Sequence, residues 1–198
     1  AKVVERLEKT ENLSKTYDMP YLIDIEVPSV ELAPTILSTV AENTDKQFWI
    51  SSFNDEMRKE ACKTAANAGV AQRAYYSTLN YMSDEDEFRM VADLGINPII
   101  QVFNPHNPLP DGYLEKADEL LTLADKVNIN RENIMLLSTV LDFGSLPLAL
   151  MTVSQLKGKY SLPVCVPSVG PIYKWAAEAS KTERRMIMAA TMTYTLDA

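Results

Sequence analysis

The sequence predicts an α/β fold: a (β/α)8 barrel of which about six βα units are present. Three observations carry this. Six short apolar runs alternate with amphipathic stretches along 198 residues, the pattern of strands crossing over through helices. The runs are nearly continuous in apolar character, as in parallel strands buried on both faces. Polar residues recur at the C-terminal end of each run, where barrel enzymes gather their chemistry. An open doubly wound sheet is the rival. A nucleotide-binding version would show a glycine-rich first turn, yet neither GxGxxG nor GxxxxGK[ST] occurs among six glycines.

The elements follow in order. The first strand is expected in YLIDIEV, residues 21–27, with Asp24 and Glu26 two apart and so on one face. A helix over 30–43 follows Pro28-Ser29, with Ser29 as N-cap. QFWISS (47–52) is the second strand and ends in Ser51 and Ser52; the helix over 54–67 stops at Gly69. RAYYSTL (73–79) supplies Ser77 and runs out to Asn80. Ser83, with Asp86 three residues on, resembles a capping box for a helix that stops at Gly95. NPIIQVF (97–103) leads to Asn104 and a proline-rich stretch through Pro110 that includes His106. A helix over 112–127 precedes NIMLLSTVLD (133–142), where Ser138 and Asp142 are four apart and share a face of a regular strand. A helix over 144–160, the run LPVCVPSV (162–169) with Ser168, and a helix over 178–196 complete the pattern. Trp49, Tyr75 and Tyr76 are expected in the core or barrel lining. Met186, Met188 and Met192 are expected to pack the last helix. Arg58, Lys59, Lys63, Arg184 and Arg185 read as solvated helix faces.

Bulk properties narrow the partners. A net charge of −8 disfavours nucleic acid and anionic membranes. No run approaches the ~20 apolar residues of a membrane span, and no basic-then-apolar leader opens the chain, so a cytoplasmic location is expected. Cys62 and Cys165 lack a CxxC partner and read as reduced thiols. With His106 the only histidine, a His-rich metal site or a Ser-His-Asp triad has little material. The chain opens at Ala1 inside a helical pattern and closes at Asp197-Ala198 directly after another. A single barrel domain over 1–198, truncated at both ends, is therefore expected, and apolar surface exposed there would favour a homodimer.

Several segments, taken in sequence order, resemble a known family. They are QFWISSFNDEMRKEACKTAANAGVAQRAYYSTLN, PIIQVFNPHNP, LLSTVLDFGS and KYSLPVCVPSVGPIYKW. The chain from about Tyr21 onward is similar to the H subunit of tetrahydromethanopterin S-methyltransferase, among the pterin-dependent corrinoid methyltransferases on a dihydropteroate-synthase-like barrel. The resemblance implies methyl transfer between N5 of a reduced pterin, tetrahydromethanopterin or tetrahydrofolate, and a corrinoid on a partner protein. It also implies that polar groups hold the pterin edge, because paired N–H donors there match a carboxylate. N5 is a poor leaving nitrogen and needs a hydrogen bond or proton as the methyl departs.

Carried over one position at a time, those groups are replaced. The family's L-D-S falls on Ile50-Ser51-Ser52, so Ser51 stands for the Asp. Its Y-N-S-I-N falls on Tyr76 to Asn80, so Ser77 stands for the first Asn while Asn80 survives. Its I-D-x-x-V falls at Leu137-Ser138, and its G-I-H-N falls near Gly170, in Pro167-Ser168-Val169-Gly170. A serine offers one neutral oxygen where the ring wants a charged bidentate acceptor, and each lost pair costs roughly 1.5–3 kcal/mol. The implied substrate-binding set is Asp24, Glu26, Ser51, Ser77, Asn80, Asn104, Ser138 and Asp142, with no catalytic residue assigned. Three readings stay open: a methyltransferase that holds its carrier in a changed pose, a non-catalytic paralogue acting as a subunit or binding module, and a methyltransferase with a different small-molecule donor or acceptor.

Overall fold

The computed structural model describes residues 2–52, 54–168, 170 and 172–196. Its elements run α1 (Lys2–Tyr17), β1 (Ile23–Glu26), α2 (Ala33–Asn43), β2 (Phe48–Ser51), α3 (Asp55–Asn67), β3 (Ala74–Leu79), α4 (Glu85–Asp93), β4 (Asn97–Gln101), α5 (Pro110–Lys126), β5 (Met135–Leu137), α6 (Leu146–Tyr160), β6 (Val164–Cys165), α7 (Ile172–Trp175) and α8 (Lys181–Leu196). Strand and helix alternate through six strands, as the apolar runs predict. The chain divides into two compact units, residues 1–78 with 86–98, and residues 79–85 with 99–198.

In the first unit β1, β2 and β3 pair in parallel and in chain order. Alternation along each strand sends Ile25, Phe48, Ile50, Ala74 and Tyr76 into the core, where Leu37 and Val40 of α2 and Ala61, Cys62 and Ala65 of α3 meet them. Burying each large apolar side chain contributes roughly 1.5–3 kcal/mol. Helix α2 starts three residues later than its expected N-cap allows. Residues 30–32 form a turn, Ser29 hydrogen-bonds Glu31, and Pro34 occupies the first helical turn, where its missing N–H costs nothing. Helix α3 is capped by Asn54, whose Oδ1 accepts the Met57 N–H at 3.1 Å. Gly69 and Gly95, at φ +72° and +65°, end α3 and α4 as expected.

In the second unit β4 pairs with β5 and β5 with β6, again in parallel. Ile99, Ile100, Leu136 and residues of α5 and α6 form its core, and α5 packs along α6. The proline-rich stretch after β4 ends in Pro110 in the first turn of α5. Strand β5 is shorter than its apolar run, stopping at Leu137, so the chain after it is free to turn. Met186 and Met192 of α8 are 67% and 49% exposed, which corrects the expectation that they pack that helix. Met188 is half-buried, and Thr191 is the most buried of the described α8 residues. Among the described residues no helix is long and apolar enough to cross a membrane.

Candidate functional site

Four of the eight candidate residues fall in the first unit, on one face of its sheet. The register sets Glu26, Ser51 and Ser77 side by side across β1, β2 and β3. Two residues earlier it sets Asp24, Trp49 and Tyr75 in a second row on that face. The Ser51 hydroxyl donates to Asp24 Oδ1 at 2.7 Å and lies 3.4 Å from the Ile25 carbonyl. Asp24 and Glu26 are exposed, while Ser51, Ser77, Trp49 and Tyr75 are half-buried. Among the described residues the Trp49 indole N–H is buried with no acceptor. An unpaired buried donor costs roughly 1–3 kcal/mol. The face therefore carries Glu26 beside two small hydroxyls and, in neighbouring register, a second carboxylate, Asp24, next to an indole whose N–H is buried.

The strand end that carries Ser51 is fixed from the opposite side. Arg58, expected on a solvated face, is buried, with its side chain 8% exposed. Its Nη1 donates to the Ser52 carbonyl at 3.2 Å and its Nη2 to Asp55 at 2.8 Å. The guanidinium lies 4.9 Å from the centre of the Tyr76 ring and 3.8 Å from Glu87. Tyr76 donates its hydroxyl to Glu87. Burial, and then the bond to Glu87, push the Tyr76 phenol far above its ordinary range, so it stays protonated. The charge spacing along α3 suits a solvated stripe; the buried acid that claims Arg58 lies on another helix. An arginine flanked by an alanine-rich buried face was the available signal.

The other four candidates lie in the second unit, where Asn80, Asn104 and Asp142 fasten loops and Ser138 ties the end of β5 to α6. Asn80 Oδ1 accepts the Met82 N–H at 2.9 Å, and the Asn80 N–H donates to Ser83 Oγ at 3.1 Å. Asn104, 9% exposed, accepts the His106 N–H at 3.0 Å and donates to the Gly112 carbonyl at 3.3 Å, tying down the proline-rich loop. His106 itself is exposed. Ser138 is fully buried and donates to the Ala149 carbonyl of α6 at 3.0 Å. Asp142 does not share a strand face with Ser138, because β5 has ended; its Oδ1 accepts the Ser145 N–H at 2.8 Å in the turn before α6. Beside these sits a chain of edge-to-face rings, Tyr81, Phe103 and Tyr113, with centroids 6.2 and 5.9 Å apart. The Tyr113 hydroxyl donates to the Thr139 carbonyl at 3.1 Å, and Gln101 donates to the Thr139 hydroxyl at 2.9 Å. Neither Gln101 nor Tyr113 had a sequence signal beyond the strand-end rule. Val169, in the segment matched to the family's last motif, lies outside the described residues.

Burial pushes both thiols, Cys62 and Cys165, up to about 12. Among the described residues no group of His, Cys, Asp and Glu side chains is placed to hold a metal ion.

Known proteins share both the sequence pattern and the fold. The family model of the tetrahydromethanopterin S-methyltransferase MtrH subunit matches residues 1–194. The H subunit of tetrahydromethanopterin S-methyltransferase from Methanothermobacter thermautotrophicus is 26% identical over 192 residues, covering 91% of this chain and 62% of that protein. Its counterpart from Methanopyrus kandleri is 26% identical over 171 residues, covering 81% and 52%. The chain thus spans 62% and 52% of the lengths of these relatives. Among solved structures, Yersinia pestis DHPS with a pterine-sulfa conjugate superposes with a TM-score of 0.64 at 13% identity, covering 95% of this chain and 79% of that one. A dihydropteroate synthetase with its product gives 0.62 at 13% identity, covering 96% and 79%. At that identity the likeness shows a common fold.

Proposed function

The chain belongs to the family of the tetrahydromethanopterin S-methyltransferase MtrH subunit, and from that premise we propose that it is a methyltransferase component that binds a methyl-carrying reduced pterin. The carrier is tetrahydromethanopterin, or tetrahydrofolate in the same role, and the second party is a corrinoid on a partner protein. Asp24 carries this reading. The resemblance calls for a carboxylate at position 51, and this chain has one on the neighbouring strand, hydrogen-bonded to Ser51. A pterin edge presents N–H donors beside a carbonyl. Asp24 offers the acceptors, and the half-buried Trp49 lies next to it in register. Ser51 takes one carboxylate lone pair and leaves the others for the ring, which favours a shifted pose. Glu26, in the row of Ser51 and Ser77, is the acid on this face able to exchange a proton with N5 as the methyl leaves.

A second reading, a binding module without catalysis, draws on the second unit. There Asn80, Asn104, Ser138 and Asp142 each commit polar atoms to the protein's own backbone. Calorimetric titration of the protein and of Asp24→Asn with tetrahydromethanopterin and tetrahydrofolate separates the two. Saturable binding that Asp24→Asn weakens by about tenfold or more supports the pterin reading, since a charge-assisted pair contributes roughly that much. Failure of both carriers to bind at millimolar levels sinks it and leaves the binding module.

A further inference from the structure

Phe143 and Trp175, both in the second unit, meet edge to face. Their ring centroids are 5.6 Å apart and their planes stand at 87°. In such a pair the positive edge of one ring meets the negative face of the other, and the two rings form an aromatic corner. A cavity of about 480 Å³ opens there, lined by Phe143, Trp175, Ile187 and the segment Ala176-Ala177-Glu178-Ala179. The small alanines leave the volume open, and Glu178 is the charged residue of the lining.

The corner is held in shape. Trp175 packs against the buried cluster of Val140, Leu146, Ala149 and Leu150. The turn that carries Phe143 is closed by reciprocal bonds: Asp142 Oδ1 accepts the Ser145 N–H at 2.8 Å, and Ser145 Oγ accepts the N–H groups of Leu141 and Asp142 at 2.9 and 3.0 Å. Phe143 is nevertheless 64% exposed. Core packing accounts for the indole. It does not account for a phenyl ring held in solvent by a fixed turn.

Two aromatic rings, a carboxylate and, among the described residues, an otherwise apolar lining suit one ligand class, a cation with an apolar skin. A bare ammonium or alkali ion keeps its water too tightly for alanine and phenyl walls, whereas methyl groups spread the charge and pack against them. We propose that this cavity binds a small quaternary or methylated ammonium compound, the cation against Phe143 and Trp175 and its charge balanced by Glu178.

The test is calorimetric titration of the full chain at low salt with choline and with its neutral isostere 3,3-dimethylbutan-1-ol. Choline is expected to saturate one site and to bind roughly 2–5-fold tighter than the isostere, the scale of a cation–π contact at a solvent-open site. Phe143→Leu keeps an apolar side chain but removes an aromatic ring, and should weaken choline roughly 2–5-fold. Glu178→Gln, at an exposed position, should weaken it severalfold and leave the isostere unchanged. Equal binding of choline and the isostere would make the cavity a plain apolar cup and overturn the proposal. So would absence of saturable choline binding, or full affinity in Phe143→Leu.

Discussion

The Ser51 hydroxyl donates a 2.7 Å hydrogen bond to the Asp24 carboxylate across the first strand pair. Replacing Ser51 by Asp therefore sets two carboxylates face to face. Two unit charges about 4 Å apart repel by ~1 kcal/mol in water and ~4 kcal/mol near a protein surface. Ser51→Asp is expected to lower stability at pH 7 by ~1–2 kcal/mol. Much of the loss should return below about pH 5, as one of the pair protonates. Asp24→Asn in the same chain should restore stability at pH 7. Denaturant midpoints at the two pH values check this, and an unchanged midpoint in Ser51→Asp means the side chains do not meet.

Arg58→Ala removes a buried cation that a ring and an acid share. Glu87 is 10% exposed on its side chain, and Tyr76 is fully buried. Lys59 also approaches Glu87, at 3.8 Å, but its side chain is 36% exposed and does not fill the space under the ring. Breaking a buried pair from one side costs roughly 3–5 kcal/mol, and a loss toward the lower end of that range is expected in urea unfolding. Arg58→Lys should recover part of it, keeping the charge but not the fork that reaches both Ser52 and Asp55. A loss below about 1 kcal/mol, the surface value, would show a solvated Arg58.

Both thiols should be inert in the folded protein. Burial holds Cys62 and Cys165 at about 12, so at pH 8 only ~10⁻⁴ of each is the reactive thiolate. Iodoacetamide at pH 8 is expected to leave the native chain unmodified over an hour and to add two labels in denaturant. Mass spectrometry reads the outcome, and rapid native labelling of either site contradicts the assignment.

Acid should weaken the second unit through two surface carboxylates. Lys159 at 2.7 Å, and then the Tyr160 hydroxyl at 2.8 Å, hold Asp118 below the usual carboxylate range. Arg131 does the same for Asp125. A depressed folded value means that the stabilisation is present above the unfolded value near ~3.9 and is lost as pH falls through the folded one. Thermal melts from pH 5 to pH 2 should show that decline, and Asp118→Asn should flatten it. The effect should shrink in high salt, because both pairs are exposed.

Alternation of strand and helix was legible in the sequence because it depends on local periodicity: all six apolar runs contain strands. The strands are shorter than the runs because apolar residues continue into buried loops, as Val102 and Val140 do. The shared face of Asp24 and Glu26 was legible from period two. Contact between Asp24 and Ser51 was not, since it needs the register between strands. Pairing Ser138 with Asp142 failed because the spacing rule holds only inside a strand, and β5 stops at Leu137. The solvated reading of Arg58 failed because Tyr76 and Glu87, which claim it, belong to other elements.

Arg58 grips the carbonyl of Ser52 from the helix side, while Ser51 looks out from the opposite face. Support of the backbone and the outward side chain are thus assigned to different residues at one strand end. Evolution can trade the outward side chain for a hydroxyl, a carboxylate or an amide while the backbone beneath it stays put. A strand end built this way lets position 51 vary without first damaging the fold.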